Sequence, residues 1–157
     1  MALEIERKFL CNLTYEEASK LAINSRRIES IYVKSNEKES LRVVKDTHKN
    51  GYVICKWTEK FSQDGLLARI ENEERLPEEL FQIISQKEYP SVNKERFLID
   101  IKDSIWEVDF FDDYDFVIAE LEFKTVEEAK GFVDFPEWIV KEVTDDPSYL
   151  NCNLATI

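Results

Sequence analysis

The sequence changes its hydrophobic period at regular intervals, and most of its length alternates with a period of two. Alternation places successive side chains on opposite faces of a strand. Strands are expected at about 2–10, 28–35, 40–47, 51–58, 65–76, 92–101, 104–111 and 115–124. The dipeptides Asn50-Gly51 and Asp64-Gly65 mark turns, and Lys102-Asp103 fits a tight hairpin. Short helices are expected at about 14–24, 77–86 and 125–132. Thr14 can cap the first, with Glu16 and Glu17 in its first turn, and Pro77 opens the second. A segment around Pro136–Trp138 and an irregular tail complete the chain. No internal repeat, linker or low-complexity tract divides it, so 1–157 reads as a single domain. Eight mostly antiparallel strands suffice to close a barrel and remove both sheet edges. The expected class is α+β, mainly β.

The faces carry unusual charge. Glu4, Glu6 and Lys8 share one face of the first strand, opposite Leu3, Ile5, Arg7 and Phe9. Arg69, Glu71 and Glu73 share a face, as do Lys94 and Arg96, Glu107 and Asp109, and Glu120 and Glu122. Arg42 and Lys56 lie on the middle strands. For any one strand the ordinary reading is a wet face opposite a buried one. For the set, two arrangements satisfy the pattern. The charged faces meet water, or they line a hydrophilic tunnel while helices cover the apolar faces outside. The second requires charges that compensate one another, stay hydrated, and meet ligand and ions. Such a tunnel would suit a metal–polyphosphate complex. Carboxylates hold Mg²⁺ or Mn²⁺, Arg and Lys hold phosphate oxygens, and a linear triphosphate carries about four to five negative charges near neutral pH.

Composition narrows the partners. The chain has 157 residues and a formal net charge of −12, which repels nucleic acid and anionic lipid. Hydrophobic residues at 43% exclude a disordered chain. No apolar stretch is long enough to cross a membrane, and the N-terminal Glu4-Ile5-Glu6-Arg7-Lys8 puts charge where a signal peptide needs its apolar segment. The odd set Cys11, Cys55 and Cys152 argues against a disulfide framework or zinc site and for free thiols in a reducing cytoplasm. The one histidine, His48, sits beside turn residues and reads as a solvated loop residue; it leaves no His-based triad. Trp57, Trp106 and Trp138 read as core or helix-covering aromatics.

In order and spacing these residues resemble the CYTH domain, the triphosphate tunnel metalloenzymes, over essentially the whole chain. Glu4-Ile5-Glu6-Arg7-Lys8 resembles its E-x-E-x-K signature. Arg42 resembles the first arginine of an R-x-R strand whose second arginine is here Val44, with Lys45 adjacent but pointing the other way unless a bulge intervenes. Lys56 resembles the lysine of a T-x-K strand whose threonine is here Ile54. Arg69–Glu73 resembles R-x-E-x-E, Lys94-Glu95-Arg96 resembles K-x-R, Glu107-Val108-Asp109 resembles E-x-D, and Ala119–Phe123 resembles A-E-x-E-F. Lys141–Asp145, with Tyr149, Asn151 and Leu154-Ala155, resembles the tail of the family's short bacterial branch.

The resemblance implies an eight-stranded tunnel with charged residues inside and metal-dependent hydrolysis of a triphosphate, inorganic triphosphate first. Nucleoside and thiamine triphosphatases and adenylyl cyclases occur in the same family, and loss of the second arginine leaves a non-catalytic polyphosphate-binding module as another reading. Expected roles follow: phosphate contacts from Lys8, Arg42, Lys56, Arg69, Lys94 and Arg96; one or two Mg²⁺ or Mn²⁺ ions on Glu4, Glu6, Glu120 and Glu122; and Glu71, Glu73, Glu107 and Asp109 as secondary metal ligands or partners of the bases. Tyr32 matches a tyrosine proposed as proton acceptor in short bacterial relatives, and a nearby Lys8 would favour its phenolate. A half-buried strand aromatic is the equal alternative for Tyr32. A cytoplasmic monomer or homodimer acting on a small triphosphate is the expected whole.

Overall fold

The computed structural model describes residues 2–62 and 65–157. Eight long strands alternate as the sequence leads one to expect: β1 (Ala2–Cys11), β2 (Asn24–Ser35), β3 (Glu39–His48), β4 (Val53–Phe61), β5 (Ala68–Arg75), β6 (Ser91–Ile101), β7 (Ser104–Phe111) and β8 (Val117–Phe123). All pair antiparallel in the order β5-β4-β3-β2-β6-β7-β8-β1. The sheet closes because β1 is shared. Its first residues, Ala2–Ile5, pair with β5, and Ile5–Cys11 pair with β8. The result is a closed antiparallel barrel.

The turns follow local chemistry. Lys102 and Asp103 both take positive φ, 51° and 69°, as a two-residue hairpin loop demands, and Gly51 turns at φ 88°. Asp64, the first half of the other turn dipeptide, lies outside the described residues. In α1 (Tyr15–Leu21), Thr14 and Glu17 form a reciprocal capping box. Pro77 caps α2 (Glu78–Ser85) rather than lying within it, and Thr125 caps α3 (Val126–Gly131).

The apolar faces point outward and are covered. Phe9, Phe97, Ile99, Trp106, Val108 and Leu121 form one cluster beneath α1 and the stretch carrying Phe132, Trp138 and Ile139. Trp106 is wholly buried there. Ile31, Val43, Cys55 and Trp57 pack against Phe81 and Ile84 of α2. The helices thus supply the cover that lets the inner faces be polar.

Three tail elements lie beyond the expected ones. β9 (Ile139–Glu142) pairs with Phe9–Cys11 of β1, continuing the edge that β5 leaves free. A 3-10 turn (Pro147–Tyr149) and α4 (Asn151–Leu154) follow, and Thr156 bridges back to Ser91 of β6. Tyr149, Cys152 and Leu154 pack against Tyr32, Val92, Phe111 and Ile118. Those residues continue the inward faces of β2, β6, β7 and β8 past their charged positions. The tail therefore covers the interior where it turns apolar. Tyr114 donates to the Leu154 carbonyl at 2.7 Å and pins this segment.

Candidate active site

Along the cavity wall, charge is sorted by strand. The carboxylates Glu4, Glu6, Glu107, Glu120 and Glu122 line the cavity from β1, β7 and β8, which are neighbours. The cations Arg42, Lys60, Arg69, Lys94 and Arg96 line it from β3, β4, β5 and β6. Tyr32, Ser40, Ile28 and the tail residues Leu150, Asn151 and Cys152 complete the wall. The face question left open by alternation is settled for the interior arrangement.

Arg96 is the centre of the basic side. Its guanidinium donates to both oxygens of Asp109, at 2.7 and 2.8 Å, and to Glu107 at 2.9 Å and Glu120 at 3.4 Å. Lys94 pairs with the same Asp109 at 2.7 Å and donates to Asn151 Oδ1 at 3.0 Å. Asp109 is wholly buried between two cations. At the other side of the chamber Glu4 accepts from Lys60 at 3.0 Å and from Arg69 at 3.4 Å. Arg69 also reaches Glu6 at 3.7 Å, and Lys60 reaches Glu71 at 3.5 Å.

Two carboxylate triplets form, Glu4–Glu6–Glu122 and Glu6–Glu107–Glu120, each with one oxygen per residue within 4.8 Å of the others. Glu6 belongs to both. Crowding shows in their protonation. Burial, then Glu120 and Glu4, push Glu6 well above the usual carboxylate range. Burial, with Glu107 and Glu4, raises Glu122. Burial raises Glu107 against the pull of Arg96, with Glu120 adding to the rise. For Glu4, burial is outweighed by Lys60, a hydrogen bond with Glu71 and Arg69, which hold it at about 2. Burial is likewise outweighed at Glu120, where Lys8, Arg96 and Lys94 keep the carboxyl well below its usual value. Oxygen-only donors with mutual repulsion fit a hard dication, which would favour the ionised form of all of them.

The expected site residues do not all meet. Lys56 leaves β4 on the inward side but pairs with Glu73 in a shallow dip with Ile54, Glu74 and Arg75, away from the cavity wall. Lys60 takes the place expected of it. The signal was present: Thr58-Glu59-Lys60 reads T-x-K as it stands, so the threonine is not missing. Val44 is buried, and the straight register Val44↔Lys56, Lys45↔Cys55 leaves no bulge. Lys45 accordingly points outward, to Glu78 of α2 at 3.3 Å. Glu71 stays inside, where burial, Glu73 and Glu4 raise it to about 8. The cation at the Tyr32 hydroxyl is Arg42, donating at 3.2 Å. Lys8 is buried and donates to the Tyr149 carbonyl at 3.2 Å.

His48 ends β3 rather than lying in a loop, with Nε2 3.9 Å from Asp46. Asp46 also pairs with Arg26 at 3.1 Å, and Arg26 reaches Glu107 at 3.6 Å. Arg26 and Asn151 have no charged partner two positions away to mark a face, and Ser40, beside Arg42 on the same face, carries no charge of its own. Among the described residues no helix is long and apolar enough to cross a membrane, and the three cysteines are free.

A closed antiparallel barrel with acids on one arc of the cavity wall and bases on the other has the charge layout that suits a polyanion and its cations. No protein-family model matches the chain. An inorganic triphosphatase of Acetivibrio thermocellus is 30% identical over 162 residues, spanning 99% of this chain and 94% of that protein. The crystal structure of the inorganic triphosphatase NE1496 superposes with a TM-score of 0.67 at 25% identity, covering 100% of this chain and 97% of that one. The PH1012 protein of Pyrococcus horikoshii, at 21% identity, a TM-score of 0.57 and coverage of 81% and 83%, shares the fold. The chain belongs to the CYTH family of triphosphate tunnel metalloenzymes.

Proposed function

We propose that this protein hydrolyses inorganic triphosphate to pyrophosphate and phosphate with a divalent metal ion. The observation that carries this reading is the sorting of the cavity-lining carboxylates onto three adjacent strands, apart from the cavity-lining arginines and lysines of the others, inside one closed barrel. The full-length likeness to an inorganic triphosphatase supports the same substrate.

Arg42, Lys60, Arg69, Lys94 and Arg96 grip the phosphate oxygens. Lys8, held at the tail, serves the reacting end together with Tyr32. Glu6 joins Glu4 and Glu122 in one metal group and Glu107 and Glu120 in the other. When bound there, one or two Mg²⁺ or Mn²⁺ ions supply charge neutralisation and orientation of water. Asp109 fixes Lys94 and Arg96 before substrate arrives, so little reorganisation remains for the transition state. Water attacks the terminal phosphorus in line; the bridging P–O bond breaks and pyrophosphate leaves. Tyr32, beside the Arg42 guanidinium, would act as the phenolate that accepts the proton from the attacking water.

Phosphate release from inorganic triphosphate, with and without Mg²⁺ or Mn²⁺, tests this reading. Metal-dependent turnover that falls about a hundredfold in Glu6→Gln is expected. Equal release without metal, or cyclic AMP from ATP as the main product, would contradict it.

A further inference from the structure

We infer that Asn151, contributed by the C-terminal tail, is a positioning residue for substrate binding that acts through Lys94. The inference rests on the triphosphatase reading of the chamber and extends it to a segment outside the barrel.

Lys94 is 4% exposed and cannot rely on water to orient its ammonium group. Burial lowers its affinity for the proton; Asp109 opposes this, and Arg96 adds to it. An ammonium has three donors. One goes to Asp109 at 2.7 Å and one to Asn151 Oδ1 at 3.0 Å. The Phe111 ring centroid lies 5.4 Å from the nitrogen. Two acceptors leave one donor for the cavity that Lys94 lines. Asn151 lines that cavity too, so its amide fixes the direction of the remaining donor. Without Asn151 the ammonium would swing about Asp109 alone.

The tail is built to hold this amide still. Asn151 opens α4, Tyr114 holds the Leu154 carbonyl, and Lys8 donates to the carbonyl of Tyr149 two residues earlier. Both lysines nearest the tail therefore take an acceptor from it. A neutral amide suits the position, because a second carboxylate there would draw Lys94 away from an incoming phosphate.

A double-mutant cycle on Lys94→Met and Asn151→Ala decides the matter, read as KM and kcat for inorganic triphosphate with Mg²⁺. Asn151→Ala should raise KM about tenfold while changing kcat less, and should add nothing once Lys94 is Met. Asn151→Ser, which keeps an acceptor at shorter reach, should recover part of the loss and guards against a folding defect in the alanine variant. Unchanged KM in Asn151→Ala, or a full second tenfold loss on top of Lys94→Met, overturns the inference while leaving the hydrolase reading intact. If triphosphate is bound but not hydrolysed, that reading fails alone, and the same cycle read as Kd by calorimetry still decides the role of Asn151. Absence of any binding would end both.

Discussion

Lys60 and Lys56 leave β4 on the same side, with Thr58 between them, yet only Lys60 lines the cavity. The side chain of Lys60 is 13% exposed and bonded to Glu4, whereas that of Lys56 is 32% exposed beside Glu73. Desolvation strengthens the hold of the first on a phosphate and screening weakens the second. Lys60→Ala should therefore raise KM for triphosphate at least about tenfold, and Lys56→Ala less than about threefold; steady-state kinetics on the two variants separates them. Equal effects would mean that substrate reaches the shallow dip. Tyr32→Phe should fold normally, because the ring packs in the tail cluster, and should lower kcat about a hundredfold with little change in KM. Full activity with Mg²⁺ would remove Tyr32 from the chemistry. Much of the residue-level site was legible because period-two spacing marks a face wherever two charges share it. Lys60 was lost by pairing the motif with the wrong lysine, four residues apart on the same face. Arg26 and Asn151 gave no such spacing to read, since each owes its place to a partner far along the chain.

At the scale of elements, Arg7 ties the outside of the barrel together. From the outward face of β1 it donates to the carbonyls of Ala129 and Phe132, at 2.8 and 2.7 Å, at the end of α3. It also forks onto Glu142 of β9 at 2.7 and 2.9 Å and lies over the rings of Phe9 and Phe135. Arg7→Ala removes the guanidinium donor from two part-buried carbonyls and the ion pair with Glu142, and should cost about 2 kcal/mol in urea unfolding. The pair also sets a pH dependence. Hydrogen bonding from Arg7, against a smaller effect of burial, with Thr144 helping, holds Glu142 below the usual carboxylate range. A carboxyl depressed in the folded state stabilises it above the unfolded value, near 4.3. That contribution is lost as pH falls below this value through the folded one. Wild-type stability should drop across that window more than Glu142→Gln does, and identical acid profiles would contradict this. The eight long strands were legible from alternation and turn dipeptides. β9 was not, because four residues, Ile139–Glu142, carry too short a pattern and owe their strand form to the free edge of β1.

For the whole molecule, the decisive fact is where charge lies relative to the barrel wall. Among the described residues that line the cavity, five carboxylates face five cations, so the chamber is nearly neutral by itself. The surplus of −12 belongs chiefly to the outside, where it disfavours nucleic acid without touching the site. A triphosphate entering a neutral chamber would bring about four to five negative charges, which dications on the carboxylate arc would offset under the proposed mechanism. Ligand and metal should therefore stabilise the fold together. At concentrations about a hundredfold above Kd the gain is about 2.7 kcal/mol, or roughly 5 to 10 °C in Tm for a chain of this size. Thermal unfolding with triphosphate alone, Mg²⁺ alone and both should show most of the shift only in the last. Additive shifts would imply two separate sites.

Isothermal calorimetry of inorganic triphosphate binding, with and without Mg²⁺, tests the sorted chamber most directly when run on wild type and on Glu4→Gln/Glu6→Gln. Binding should be at least about tenfold tighter with Mg²⁺, and the double variant should lose that metal-dependent gain while keeping its basic wall. Triphosphate that binds equally well with or without Mg²⁺, and equally to both proteins, would contradict the account.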